Sequence, residues 1–246
     1  MRDGEIWIAG VDGCRGGWMV VTHPVDQPAK ARVEILATFA AVIALPERPR
    51  VIAIDIPIGL PERTGLGGRA CDAAARTLLG ARQSSVFSVP ARVATMQDDF
   101  AAACDIAAYN SDPPRKVSKQ TFNLFPKIRE VDALMTPNLQ ERVVECHPEL
   151  AFWRLNGRRA LDQPKKVKSR PWPAGLALRR QLLMSAQYLD AVIDRARFNS
   201  ADAGADDILD AFANAAAAVE IMRGGAHRVP DDPPRDAKGL RMEIWG

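Results

Sequence analysis

Three observations predict an α/β fold, a mixed five-stranded sheet flanked by helices and carrying a helical insertion. The chain opens on three extended runs joined by short links. A nearly all β-branched run with one acid in it follows a short helix. A long alanine-rich helix headed by aspartates comes near the end.

The first runs are "EIWIAGVD" (5–12), "GWMVVTH" (17–23) and "ARVEILA" (31–37). Links this short between β-rich runs predict an antiparallel meander. The strand ending in Asp12 meets Gly13, Gly16 and Gly17, a turn composition. "TFAAVIALPE" reads as one short helix ended near Pro46. Residues 51–56, apolar apart from Asp55, read as a strand covered on both faces. Because a helix precedes it, a crossover predicts parallel pairing with an earlier strand.

Residues 62–140 read as the helical insertion, with "GRACDAAARTLLG" and "RVATMQDDFAAACDIAAYN" as helices and "ARQSSVFSVPAR" as a loop between them. "RVVECH" (142–147) returns as a strand. "PELAFWRLNG" then starts a helix on Pro148 and ends it at Gly157. A basic, proline-rich loop, "DQPKKVKSRPWPAG", leads to helices over about 176–196. "ADDILDAFANAAAAVEIMRGG" is the clearest helix, its aspartates suiting the positive N-terminal end and its glycines the C-terminal end. "GLRMEIW" closes as a short strand. With no repeat and no rich linker, residues 1–246 read as one domain.

The chain has 246 residues, enough for a good core. A hydrophobic share of 47% and a charged share of 26% exclude disordered and collagen-like classes. The net charge of +3 gives no nucleic-acid signal by itself, although a local basic patch is compatible with it. Cys14, Cys71, Cys104 and Cys146 form no CxxC pair, which argues against a zinc ribbon. With no recognisable signal peptide, they read as reduced thiols of a cytoplasmic protein. No apolar run reaches transmembrane length, so a membrane partner is not expected.

The acids carry the chemistry. If the strands of Asp12 and Asp55 run parallel and adjacent, both acids sit at carboxyl ends, where open α/β sheets place their sites. Asp207 and Asp210, three apart, share a face of the last long helix. Docking that helix over the same edge gathers four carboxylates, which repel unless a cation joins them. Oxygen-only ligands favour Mg²⁺ or Mn²⁺. Two such ions could clamp the attacking and leaving oxygens of a phosphodiester. The plain alternative for Asp207 is a helix cap.

Glu145 and His147 share one face of their strand by the period of two. They read as an acid and a proton shuttle beside the metals, or else as a hydrogen-bonded strand end. Arg15, Arg82, Ser84, Ser85 and Lys127 offer guanidinium, hydroxyl and ammonium groups for phosphate. Lys165 and Lys166, in "KKVKSR", could track a phosphate backbone. Each of these groups also reads as ordinary polar surface. "GCRGG" matches neither a P-loop nor G-x-G-x-x-G.

The motifs "GVDGCRGGW", "IDIPIGLP", "SSVFSVPAR", "PKIREVD", "ECHPELAF", "DDILDAFA" and "GLRMEIW" resemble a family of predicted ribonuclease H-like nucleases of unknown function, over almost the whole chain. The acid pattern also resembles RuvC-type Holliday-junction resolvases: an acid after the first strand, one on the fourth, and D-x-x-D-A on the last helix. The resemblance implies Asp12, Asp55, Asp207 and Asp210 as metal ligands and nucleic acid as substrate. Position 55 is Asp where resolvases carry Glu, so its shorter side chain needs a closer backbone or a bridging water. The leading expectation is a metal-dependent phosphodiesterase. Two alternatives stay open. One is a nucleotide-binding or phosphotransferase-like protein, since actin-like kinases share the core. The other is a non-catalytic binding protein that keeps the fold.

Overall fold

A computed structural model describes residues 5–168, 170–195 and 198–246. The chain forms two compact units. The first contains the chain up to Asp55, Arg142–His227 and Trp245–Gly246; the second contains Ile56–Glu141 and Arg228–Ile244.

The first unit is built on the sheet. Strands β1 (Trp7–Cys14), β2 (Gly17–Pro24) and β3 (Arg32–Leu36) form the antiparallel meander. Helix α1 (Phe39–Ile43) leads to β4 (Val51–Ile54), and β5 (Val143–Glu145) completes a sheet of order β3-β2-β1-β4-β5. Both β4 and β5 pair parallel to their inner neighbour. The mixed α/β class, consistent with a ribonuclease H-like fold, is therefore as the sequence predicts.

Three strand ends differ from expectation, each for a local reason. Strand β1 does not stop at Asp12. A two-residue link, Arg15-Gly16, lets the ladder continue through Asp12–Met19 and Gly13–Trp18 to Cys14–Gly17. Gly17 has φ of +133°, and a Cβ there would lie 2.2 Å from the Leu36 carbonyl oxygen. Strand β4 ends at Ile54 because Pro57 has no N–H to extend the ladder. Strand β5 ends at Glu145 because His147 turns to cap the next helix.

That helix is α8 (Pro148–Leu155). The second unit holds, in chain order, α2 (Ala70–Leu79), α3 (Arg92–Thr95), α4 (Phe100–Tyr109), α5 (Lys119–Asn123), α6 (Phe125–Leu134) and α7 (Pro137–Gln140). The single helix expected over "RVATMQDDFAAACDIAAYN" is two, because Asp99 accepts from Ala102 N (2.8 Å) and starts α4 afresh. Residues 80–85, expected as loop, make a short 3₁₀ turn.

In the first unit the basic loop contains a small hairpin, β6 (Lys166–Val167) with β7 (Arg170–Pro171). Helices α9 (Pro173–Ser185), α10 (Asp190–Arg195) and α11 (Ala205–Arg223) follow. The expected end at Ala196 lies outside the described residues. The expected terminal strand is reduced to Ile244–Trp245, with Trp245 bridging parallel to Cys146. All four cysteines are buried, and no helix among the described residues is long and apolar enough to cross a membrane.

The core of the first unit lies between the sheet and α11. Ile8, Met19, Val21, Ala53 and Val144 meet Leu209, Phe212, Ala216 and Val219. One glycine sets the spacing. A Cβ on Gly10 would lie 2.0 Å from Ala215 N and 2.2 Å from Ala211 O, so helix backbone rests directly on strand backbone. Asn214 locks the contact by donating from Nδ2 to Val11 O at 2.8 Å.

Candidate metal centre

The close contact at Gly10 brings the N-terminal half of α11 over the carboxyl end of β1. Asp55 follows β4 directly, its N–H donating to Val11 O at 3.0 Å, so it stands beside Asp12 at the same sheet edge. Asp210 lies one turn before Asn214 on α11 and is almost wholly buried.

The acids at this edge influence one another electrostatically. Burial raises the Asp12 pKa well above the usual carboxylate range, and Asp55, Asp210 and Asp207 push it further. Burial also raises Asp55, with His147 and Lys165 opposing. Asp210 is pushed up to about 7, chiefly by burial, against the opposing pull of Lys165. Asp207 is half-buried. Its Oδ2 accepts from Gly204 N at 2.8 Å as a helix cap, and its charge still reaches Asp12.

The cluster already contains one positive charge. Lys165 Nζ donates to Asp210 Oδ2. Burial alone would lower the Lys165 pKa; Asp210, Asp12 and Asp55 outweigh it and hold the ammonium above its usual range. Lys166 pairs with Asp206 at 2.6 Å. Both lysines proposed for phosphate thus engage α11 acids. Lys168 and Arg170 are exposed, and Ser169 lies outside the described residues.

The loop that delivers Lys165 is fixed by its backbone. Trp172 N donates to Lys165 O at 2.9 Å, and Arg179 Nη1 donates to Gln163 O at 3.0 Å. A Cβ on Gly175 would lie 1.8 Å from Pro164 O, so only glycine lets α9 approach so closely. Arg179 is fully buried. Its Nε donates to Glu149 Oε1 at 3.1 Å, Nη1 also donates to Gly175 O at 2.9 Å, and its guanidinium lies 5.5 Å from the Phe152 ring centre.

Glu149 and Arg179 are the residues that sequence reasoning missed. Glu149 acts electrostatically on both Asp55 and Asp210, yet in "ECHPEL" it sits in a helical first turn, where any acid is at home. Arg179 looks like an ordinary helix-surface cation in the sequence. The one available signal was Gly175, four residues earlier and unusual inside a helix.

The other candidates divide. His147 lies near enough to Asp55 to lower its pKa, while its Nδ1 accepts from Glu149 N at 3.2 Å. Glu145 is buried at the end of β5, in register with Ile54, and raises the pKa of the buried Cys146. Arg15 is exposed in the β1–β2 link and donates to Ser200 O at 3.2 Å. Arg82, Ser84, Ser85 and Lys127 belong to the second unit. There Ser85 Oγ donates to Arg82 O at 2.8 Å. Two nearby arginines are internal ties of that unit: Arg92 to Asp132 and Asp236, and Arg76 to Ser88 at 2.9 Å.

The donor chemistry of the cluster suits a hard cation. Every acid offers oxygen, and Asp210 Oδ1 and Glu149 Oε2 are buried with no hydrogen-bond partner among the described residues. No three such groups among the described residues already form a ready cation cage.

No curated protein and no solved structure matches the chain. A family model matches residues 10–235, a span that includes every acid of this centre. The chain belongs to the family described as Protein of unknown function (DUF429).

Proposed function

We propose that this chain is a divalent-metal-dependent nuclease of the ribonuclease H-like superfamily, hydrolysing phosphodiesters of nucleic acid in the cytoplasm. The observation that carries the reading is the electrostatic influence of Asp55, Asp210 and Asp207 on Asp12 at the end of a parallel strand pair, with a buried oxygen of Asp210 unpartnered among the described residues. A divalent cation would relieve the repulsion within such a cluster.

Asp12, Asp55 and Asp210 would hold Mg²⁺ or Mn²⁺, with Asp207 at its outer edge. Bound there, the ion would polarise a phosphoryl oxygen and favour attack by water. His147, whose charge acts on Asp55, would move a proton, with Glu145 at the end of the same strand as a supporting acid. Lys165 and Lys166 bring positive charge to the rim. Arg15 is an exposed cation in the β1–β2 link, available to phosphate.

The test is single-turnover cleavage of labelled single strands, duplexes, hybrids and junctions with Mg²⁺ or Mn²⁺. Asp210→Asn should lose cleavage by at least a hundredfold while nucleic-acid affinity survives. Wild-type protein that cuts nothing on this panel sinks the reading. One observation favours the non-catalytic alternative: Lys165 already neutralises part of the cluster. A Mn²⁺ titration separates the two, because the alternative needs no ion.

A further inference from the structure

We propose that the β6–β7 hairpin and the adjoining Trp172 form a platform for single-stranded nucleic acid, so that the strand brought to this centre is unpaired. The inference rests on the nuclease reading above and names its substrate class.

The surface combines a held aromatic ring with exposed cations. Of the five tryptophans, all among the described residues, Trp172 alone is exposed, at 41%. Its Nε1 donates to Gln163 Oε1 at 3.1 Å, and its backbone N donates to Lys165 O at 2.9 Å. The backing is firm: Arg179 Nη1 donates to Gln163 O at 3.0 Å, and Gly175 lets α9 pack on Pro164. A ring already tied in place loses little freedom when a ligand lands on it. Beside it, Lys168 and Arg170 are exposed, and neither has an acidic partner among the described residues. Val167, across the ladder from Arg170, adds an exposed apolar side chain.

The combination decides the ligand. Cations alone attract any phosphate backbone, paired or unpaired. An aromatic face gains most from a flat partner laid on it. In a duplex the base faces are covered by their neighbours, whereas an unpaired base can splay out and stack. Such stacking tolerates any sequence, because every base has a face to offer. Ring and cations together therefore favour an unpaired strand, with little preference among bases. The platform adjoins the acids through Lys165, whose carbonyl accepts from Trp172 N and whose ammonium pairs with Asp210.

Binding in EDTA tests the inference without any cleavage. The probes are oligo-thymidylate and a duplex of equal length, followed by anisotropy when labelled and by tryptophan fluorescence when not. Wild-type protein should bind the single strand about tenfold tighter than the duplex, with its tryptophan emission quenched. Trp172→Leu should lose the quenching and about tenfold in single-strand affinity, with duplex affinity unchanged; Trp172→Tyr should keep most of that affinity. Trp172→Gln serves if the Leu variant fails to fold. Lys168→Ala should weaken both probes and reduce the salt dependence by about one phosphate contact. A duplex bound as tightly as the single strand overturns the inference, as does a folded Trp172→Leu that binds oligo-thymidylate like wild type. Either result leaves the nuclease reading to its own cleavage panel. Trp172-dependent binding without cleavage on that panel supports the platform and sinks the nuclease reading alone.

Discussion

Asp12 is held where its charge is least welcome, buried and facing other carboxylates. Removing that charge should relieve the cation-free protein. Asp12→Asn is therefore expected to raise the melting temperature without metal and to shrink the rise that millimolar Mn²⁺ produces in wild type. Thermal scans of both proteins with and without Mn²⁺ check this, and a lower metal-free melting point in the variant would contradict it. His23 carries a different prediction. Its Nδ1 donates to Pro24 O at 2.8 Å, so Nε2 accepts from Tyr188 Oη at 2.9 Å. Burial lowers the His23 pKa, and Tyr188, packed on Phe212, stays protonated because burial raises its own. Below about pH 6.5 the unfolded histidine binds a proton that the folded one resists. The His23 contribution is thus full above that pH and is lost as pH falls through the folded-state pKa. The buried acids, with raised pKa values, act in the opposite sense. The informative quantity is the difference in urea stability between wild type and His23→Gln, which should shrink from about pH 7.5 to about pH 5.

At the scale of elements, the centre depends on two backbone contacts. Gly10→Ala places a methyl group against the backbone of α11, which no rotamer change relieves. It should cost about 3 kcal/mol or more and reduce Mn²⁺ affinity, since α11 must lift from β1. Arg179→Ala leaves Glu149 buried and unpaired and should cost about 3–5 kcal/mol. It should also loosen residues 163–165, read as faster hydrogen exchange there. The meander, β4 and α11 were legible because strong periodicity and β-branched runs leave little choice. The break before α4 was not, since Asp99 reads equally well as a helix-interior acid until its side chain is seen to cap. The β1 extension past Asp12 was hidden for a similar reason: a glycine-rich stretch suggests a stop, and here it makes a tight hairpin.

Across the whole molecule, ion binding should act as a stability term. An ion that binds only the folded chain adds about 2.7 kcal/mol at a hundredfold excess over its Kd. Urea midpoints measured at increasing Mn²⁺ should follow that logarithmic law, and a flat response would remove the metal from the account. The neighbourhood of Asp12 and Asp55 could be read from the sequence because both acids directly follow the paired stretch of adjacent parallel strands. The entry of Glu149 and Lys165 could not, since it follows from how α8, α9 and the loop before α9 stack, which no local pattern encodes. The return of residues 228–244 to the second unit was equally hidden, being a matter of long-range packing rather than composition.

The contact at Gly10 has a mechanical meaning. Where side chains separate a helix from a strand, their small voids let the pair breathe under load. Here backbone meets backbone, with Asn214 tying the two. The backbones that carry Asp12 and Asp210 are then spaced by backbone contact and one hydrogen bond rather than by packed side chains. Hydrostatic pressure, which works by collapsing voids, has little to act on between these two acids.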